Sequence, residues 1–260
     1  MSESVAEVIE VAGAELRFLR KLLGGVGENA WERLLERFVD DWFRLDVLGL
    51  ENIPQDGPAV LVANHSGAWG LDAFVLQKTL LRSLGRPLSV LAAPFVFRLP
   101  VLGPYAARKG AVPIGPRACM ERLARGELVG MFPEGVSGLE KSFRDGHRLR
   151  PFDPGFAVAA LHVGAPVVPV AVIGAEESSP KMGELPGLAK LLDLPYVPLT
   201  SPFPLPAKWL ITIGEPIGPP DRPRAWGARS AAARRLSEDV RDTLQDMIDR
   251  ERQRRGGLVP

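Results

Sequence analysis

A series of short, Val-rich apolar runs, at 59–63, 88–92, 128–132, 166–172 and 210–213, constrains this chain more than any other feature. Each is too short for a helix, apolar at alternate and intervening positions, and bounded by Gly, Pro, Asn or Asp. Such runs read as strands buried on both faces. Helical patterns stand between them, at about 72–83, 117–125 and 156–163, the last stopped by Gly164. The segment 44–50 reads as a further strand, and Ala111-Val112-Pro113-Ile114 as a short one whose proline confines it to an edge or a strand end. This alternation specifies an α/β fold with a central, mostly parallel or mixed sheet flanked by helices. No internal repeat breaks the pattern.

Two appendages are expected on that core. Residues 1–44 carry helical apolar stripes, Val8 to Leu23 and then Trp31, Leu34, Leu35, Phe38, Val39, Trp42 and Phe43. Four bulky aromatics on one seam suit either a helix packed on the sheet or a membrane-contact surface. Residues 45–260 read as one domain, interrupted at 178–207 by an irregular insertion with seven prolines and closed by an amphipathic helix bearing Leu236, Val240, Leu244, Met247 and Ile248. Net charge is +1, which gives no polybasic character for nucleic acid. Cys119 is alone, so no disulfide framework or thiolate metal site is expected. The start resembles no secretory signal, and no run of eighteen apolar residues offers a membrane span. The expectation is a cytoplasmic protein, peripheral on the inner face of the membrane, with no cofactor and no metal.

Chemistry concentrates at two strand ends. The run 59–63 ends in Asn64-His65, followed by a loop with Gly67 and Gly70, and then Asp72 at a helix start. A histidine at a strand mouth with a carboxylate one loop away is how an acyl-transfer site supplies a general base. Of the other histidines, His147 sits in a polar loop and reads as solvated, while His162 lies in an apolar helix and reads as structural. The second strand end, Phe132-Pro133-Glu134-Gly135, holds a carboxylate between a rigid and a flexible residue, placed for a substrate hydroxyl. Either element alone is also compatible with ordinary packing.

Together, Asn64-His65…Asp72 and Phe132-Pro133-Glu134-Gly135 resemble the lysophospholipid and glycerol acyltransferase superfamily. Val167-Val168-Pro169-Val170 and Gly110-Ala111-Val112-Pro113-Ile114 are similar to its remaining motifs, and the resemblance spans roughly 45–215. It implies transfer of a fatty acyl group from acyl-CoA or an acyl carrier protein to a hydroxyl of a lysophospholipid, monoacylglycerol or diacylglycerol. In the implied roles His65 is the base and Asp72 its orienting carboxylate. Asn64, Pro133, Glu134, Gly135, Arg117 and Arg108 would bind substrate.

Three features depart from the commoner pattern. Six residues rather than four separate His65 from Asp72, as in the branch resembling monoacylglycerol acyltransferases. Val136-Ser137 stands where Thr-Arg often follows, and Pro116 precedes Arg117 after the glycine strand. A missing arginine removes a bidentate phosphate partner, which leans toward a neutral acceptor. Against that, residues 98–150 hold ten Lys or Arg and five acids, so Arg108, Lys109, Arg117, Lys141, Arg144, Arg148 and Arg150 remain candidates for CoA or lipid phosphates. The competing readings are a non-catalytic lipid-binding homologue and a lipid esterase using Ser66 or Ser137. For the esterase, Gly135-Val136-Ser137-Gly138-Leu139 lacks the second glycine of a nucleophile elbow.

Overall fold

The computed structural model describes residues 37, 41–66, 70–98, 102–139, 141, 145, 147–191, 194–195, 197–201, 204–218 and 226–255. The stripe at Val8–Leu23 and most of the aromatic seam at Trp31–Val39 lie outside them. Along the chain come β1 (Asp46–Leu48), β2 (Ala59–Ala63), α1 (Leu71–Leu84), β3 (Leu88–Ala92), α2 (Leu102–Arg108), β4 (Val112–Pro113), α3 (Pro116–Ala124) and β5 (Leu128–Met131). There follow α4 (Val136–Leu139), α5 (Gly155–Val163), β6 (Val167–Ile173), α6 (Ala175–Ser178), β7 (Gly183–Glu184), α7 (Pro186–Leu191), β8 (Pro198–Leu199), β9 (Leu210–Ile213) and α8 (Trp226–Arg254).

The sheet runs β1-β9-β6-β2-β5-β3-β4. Its five strands from β6 to β4 are parallel, while β9 pairs antiparallel with β6 and parallel with β1. The α/β expectation of a mostly parallel, mixed sheet therefore holds. Pro113 lies on the edge strand β4, where a missing N–H removes no ladder bond. Besides the one-turn helices α4 and α6, two features escape the sequence reading. Helix α2 lies within and beyond the proline-bounded segment 94–104, and the insertion contains the small antiparallel pair β7–β8. Both are too short for periodicity to register.

Side chains of β2 explain why its neighbours are where they are. Alternation sends Ala59, Leu61 and Ala63 into one core with α1, Phe43, Trp209 and the β6 residues Val168, Val170 and Val172. It sends Val60 and Val62 into the other, with Cys119 and Leu123 of α3, Phe156 and Ala160 of α5, and Leu236 and Val240 of α8. No polar face is left, so helices must cover both sides. On this sheet the Leu88 side chain of β3 packs over Gly130 of β5, where an added Cβ would lie 2.9 Å from Leu88 Cδ2. Phe43 anchors the start of the described chain by stacking on Trp209, with ring centroids 4.6 Å apart.

Because Leu61 is fully buried between β2's neighbours and α1, Leu61→Ala should cost about 2–5 kcal/mol of stability. A urea-denaturation midpoint displaced by less than about 1 kcal/mol equivalent would show that this face is not closely packed.

Candidate active site

The parallel register of β2 and β5 assembles the site. Val62 pairs with Met131, an offset of 69 residues, and the same offset carried past the strand ends sets His65 beside Glu134. Ligands gather at this carboxyl edge of an open α/β sheet, where strand order leaves a crevice between loops.

His65 and Asp72 meet. Nδ1 of the imidazole lies 2.8 Å from Asp72 Oδ2, so the six intervening residues close the pair. Asp72 is fully buried, and its charge is met by donors: the Ser66 amide at 2.9 Å to Oδ2 and the Ala73 amide at 2.8 Å to Oδ1. Its position in the first turn of α1 adds the positive end of the helix dipole. The Asp72 carboxylate accepts a hydrogen bond from Nδ1–H, which leaves the lone pair on Nε2. The ring plane is held by Phe132, stacked at a centroid distance of 4.2 Å and an interplanar angle of 20°. His65 is the partly accessible member of the pair, with 14% of its side chain exposed against 0% for Asp72.

Asn64 and Glu134, expected to touch substrate, turn inward instead. The Asn64 amide donates to Val172 O at 2.8 Å and accepts from Val172 N at 2.7 Å. A side-chain amide thus continues the β2–β6 ladder one step after the strand ends. The Glu134 carboxylate is buried and fully engaged. Oε1 accepts from the His65 amide at 3.1 Å and Lys141 Nζ at 3.0 Å; Oε2 accepts from Lys141 Nζ at 2.9 Å and the Arg150 amide at 2.8 Å. Buried polar groups need such partners, and these four hydrogen bonds, from three donor groups, commit both oxygens to the protein. Pro133 O accepts from the Asp153 amide at 3.0 Å. Gly135 is exposed and has φ of +58°, a left-handed turn that glycine takes without cost.

Gly138 on α4 packs where a side chain has no room. A Cβ there would approach His65 Cβ to 2.8 Å and Glu134 Cβ to 2.9 Å. Arg108 and Arg117 are not part of this cluster. Both are exposed, and Arg117 pairs with Glu121 on the surface of α3 at 3.4 Å. The edge strand that precedes Arg117 is three strands from β2, about 14 Å across the sheet.

Lys141 was a candidate for phosphates; its buried seat against Glu134 is a correction that only the tertiary structure supplies, since it lies seven residues from Glu134 in loop sequence. His147 differs from expectation as well. It is half-buried, with Nδ1 3.2 Å from Glu176 Oε1, and its segment is tied to α8 by Gln245, which donates to His147 O and accepts from the Leu149 amide. Burial, with Arg252, Lys141 and Arg255 nearby, pushes the His147 imidazole down to about 4. Burial pushes Glu176 the other way, above the usual carboxylate range. His162, by contrast, is exposed. Among the described residues no group of three or more His, Cys, Asp or Glu is arranged to hold a metal ion.

The acyltransferase family model matches residues 44–173, half of the 260-residue chain. An uncharacterized protein of Mycobacterium tuberculosis is 40% identical over 229 residues, which cover 84% of this chain and 64% of that protein. The human "DGAT1/2-independent enzyme synthesizing storage lipids" is 28% identical over 233 residues, covering 84% of this chain and 65% of the human protein. This chain thus spans just under two thirds of the length of these relatives. Among solved structures, the 1-acyl-sn-glycerophosphate (LPA) acyltransferase of Thermotoga maritima superimposes with a TM-score of 0.55 and 21% identity, covering 95% of this chain and 92% of that one. At that identity the likeness is one of fold.

The depressed His147 value has a consequence for stability. Folded His147 resists protonation until about pH 4, whereas the unfolded chain takes up the proton near its ordinary value of 6.5. Its contribution is therefore present above about pH 6.5 and is lost as pH falls toward 4. Relative to His147→Asn, wild-type protein should lose more stability between pH 7 and pH 4.5. Parallel changes in urea midpoint for the two proteins would contradict this assignment.

Proposed function

The chain belongs to the acyltransferase family, and from that premise we propose that it moves a fatty acyl group from a thioester donor, acyl-CoA or an acyl carrier protein, to a glycerolipid hydroxyl. The observation that carries the proposal is the 2.8 Å His65–Asp72 bond at the carboxyl edge of the parallel sheet. Nε2 of His65 accepts the proton of the acceptor hydroxyl as its oxygen attacks the thioester carbonyl. Asp72 holds the tautomer and stabilises the imidazolium. Collapse of the tetrahedral intermediate breaks the C–S bond, and the imidazolium returns the proton to the departing thiolate. The ester and the free thiol are the products, and no acyl-enzyme is required because the thioester is already activated.

The competing readings lose support from particular atoms. A serine esterase needs a hydroxyl facing His65. Ser66 Oγ instead donates to Val172 O at 3.4 Å, and Ser137 Oγ donates to Glu134 O at 2.7 Å. A lipid-binding homologue without turnover rested on the long His–Asp spacing, and the closed pair removes that ground. The acceptor we favour is neutral, a mono- or diacylglycerol. Lys141 is consumed by Glu134, and Val136-Ser137 occupies the place of a phosphate-binding arginine. The similarity to the human enzyme named for storage-lipid synthesis supports the same direction. A lysophospholipid acceptor would draw on the exposed Arg148 and Arg150.

The proposal includes a working position at a membrane surface, on the cytoplasmic face, where such acceptors are met. No helix among the described residues is long and apolar enough to cross one. Exposed Trp42 donates its indole N–H to Pro204 O at 2.8 Å, which joins the end of the aromatic seam to the proline-rich insertion. Exposed Leu205 follows Pro204, and Met182 and Leu199 project from the β7–β8 pair.

His65→Ala should lower radiolabelled acyl-CoA transfer to monoacylglycerol by about 10³-fold while leaving the fold intact, and Asp72→Asn by about 10²-fold. Turnover of His65→Ala at the wild-type rate removes the base assignment. Sedimentation with liposomes should fall when Trp31, Phe38 and Trp42 are changed together to Ser. Full sedimentation of that variant would exclude the aromatic seam as the anchor.

A further inference from the structure

The Glu134–Lys141 pair has no evident reason to exist as a stabilising device. Both side chains are almost sealed from solvent, 0% exposed for Glu134 and 2% for Lys141, with Nζ at 3.0 and 2.9 Å from the two carboxylate oxygens. Burying two charges cancels most of what their attraction returns, and apolar side chains of the same volume commonly serve stability as well or better. The pair does hold something that an apolar pair could not. Its oxygens are the acceptors for two backbone amides, those of His65 and Arg150.

Those amides belong to different parts of the chain. His65 lies beyond the end of β2, where ladder pairing has stopped and the backbone has lost its regular acceptors. Arg150 closes the polar segment that returns from Lys141, by way of His147 and the Gln245 clamp, to the sheet edge. One ionised carboxylate joins both to the turn after β5. With Phe132 stacked on the imidazole and Gly138 seated against its Cβ, the remaining freedom of His65 is the position of its own backbone. The Lys141 ammonium meets both oxygens of that carboxylate where water does not reach them.

Resting on the acyl-transfer reading above, we infer that Lys141 is a positioning residue for the reaction, one that fixes the general base by holding Glu134 as the ionised acceptor of the His65 amide. It touches neither donor nor acceptor. Its effect reaches the chemistry through the placement of His65 Nε2, where an error of about 1 Å costs on the order of 10² in rate. The alternative role for a lysine at this place is to bind an acceptor phosphate, and the two roles differ in what they change.

The test is steady-state transfer from radiolabelled acyl-CoA by the full chain, with monoacylglycerol and lysophosphatidic acid as parallel acceptors. Lys141→Met should lower kcat by about 30- to 100-fold for both acceptors, with each KM within about threefold of wild type. A rise in KM confined to lysophosphatidic acid makes Lys141 a phosphate ligand and overturns the inference, as does an unchanged kcat. Glu134→Gln/Lys141→Met supplies the control should the single variant fail to fold. It leaves no lone buried charge and keeps an amide oxygen for the His65 N–H but none for the Arg150 N–H, so a loss in kcat of about 10- to 30-fold is expected, smaller than that of Lys141→Met. A loss in the double variant as deep as that of His65→Ala contradicts the mechanism. Hydrogen exchange at the His65 amide gives a readout independent of turnover. It should be at least tenfold faster in Lys141→Met than in wild type, and equal rates overturn the inference. Should wild-type protein transfer acyl groups to neither acceptor, the functional reading fails, and the exchange measurement still decides whether Lys141 holds His65.

Discussion

The register of β2 against β5 is the constraint on which the site depends. Val62 opposite Met131 places His65 opposite Glu134, and a slip of one residue would turn the imidazole to the other face of the sheet. Ordinary alternating strands fix register by one apolar face. Here β2 is apolar on both, so alternation alone penalises a slip less, and shape must do more of the selection. Leu61 and Ala63 fit the α1 side, Val60 and Val62 the α3 and α5 side, and Gly130 leaves room for the Leu88 side chain. Asn64 then locks the other neighbour, because both ends of its amide pair with Val172 on β6. The strand is thus held in place from both sides immediately before the histidine.

Beyond the strand ends the problem becomes one of buried charge, and three carboxylates meet it in different ways. Asp72 relies on two backbone amides, a helix N-terminus and the imidazole itself. Glu134 relies on a buried ammonium and two amides. Glu176 has neither a cation in contact nor a full set of donors, its Oε1 lacking a hydrogen bond, and burial raises its pKa accordingly. The first two have every carboxylate oxygen hydrogen-bonded at the centre of the site. The third lies against His147, and there burial works against charge on both partners: it lowers the histidine and raises the glutamate.

Much of this was legible in residue order because the physics that shapes the sheet is periodic. Short apolar runs with turn residues at their ends mark β2, β3, β5, β6 and β9 to within a residue or two. Proline in Val112–Pro113 foretells an edge, and Gly164 foretells the end of α5. Proximity in the site was legible only through the joint pattern of two motifs, since a span of six residues between His65 and Asp72 fits many loop geometries. What could not be read is the direction in which polar side chains face. Asn64 and Glu134 stand beside His65 in a reactive constellation, and both are spent on the scaffold. Lys141 gives no local signal at all, because its partner is chosen by the path of a loop and not by any period.

That inward orientation divides the site into two shells with different tasks. Asp72, Asn64, Glu134 and Lys141 have their polar atoms committed to the protein, so they fix geometry and have little left with which to read a substrate. On the proposed reading, recognition falls to exposed groups: the turn at Gly135, Arg148 and Arg150, and the apolar residues of the proline-rich insertion. These lie on loops, where substitution disturbs few backbone bonds, while the inner shell lies at strand ends and a helix start, where it would disturb many. A chain organised in this way can change its acceptor without moving its base. On the proposed acyl-transfer reading, the strand register and the buried ion pair set the place of the base, and the groups around it at the surface select the lipid.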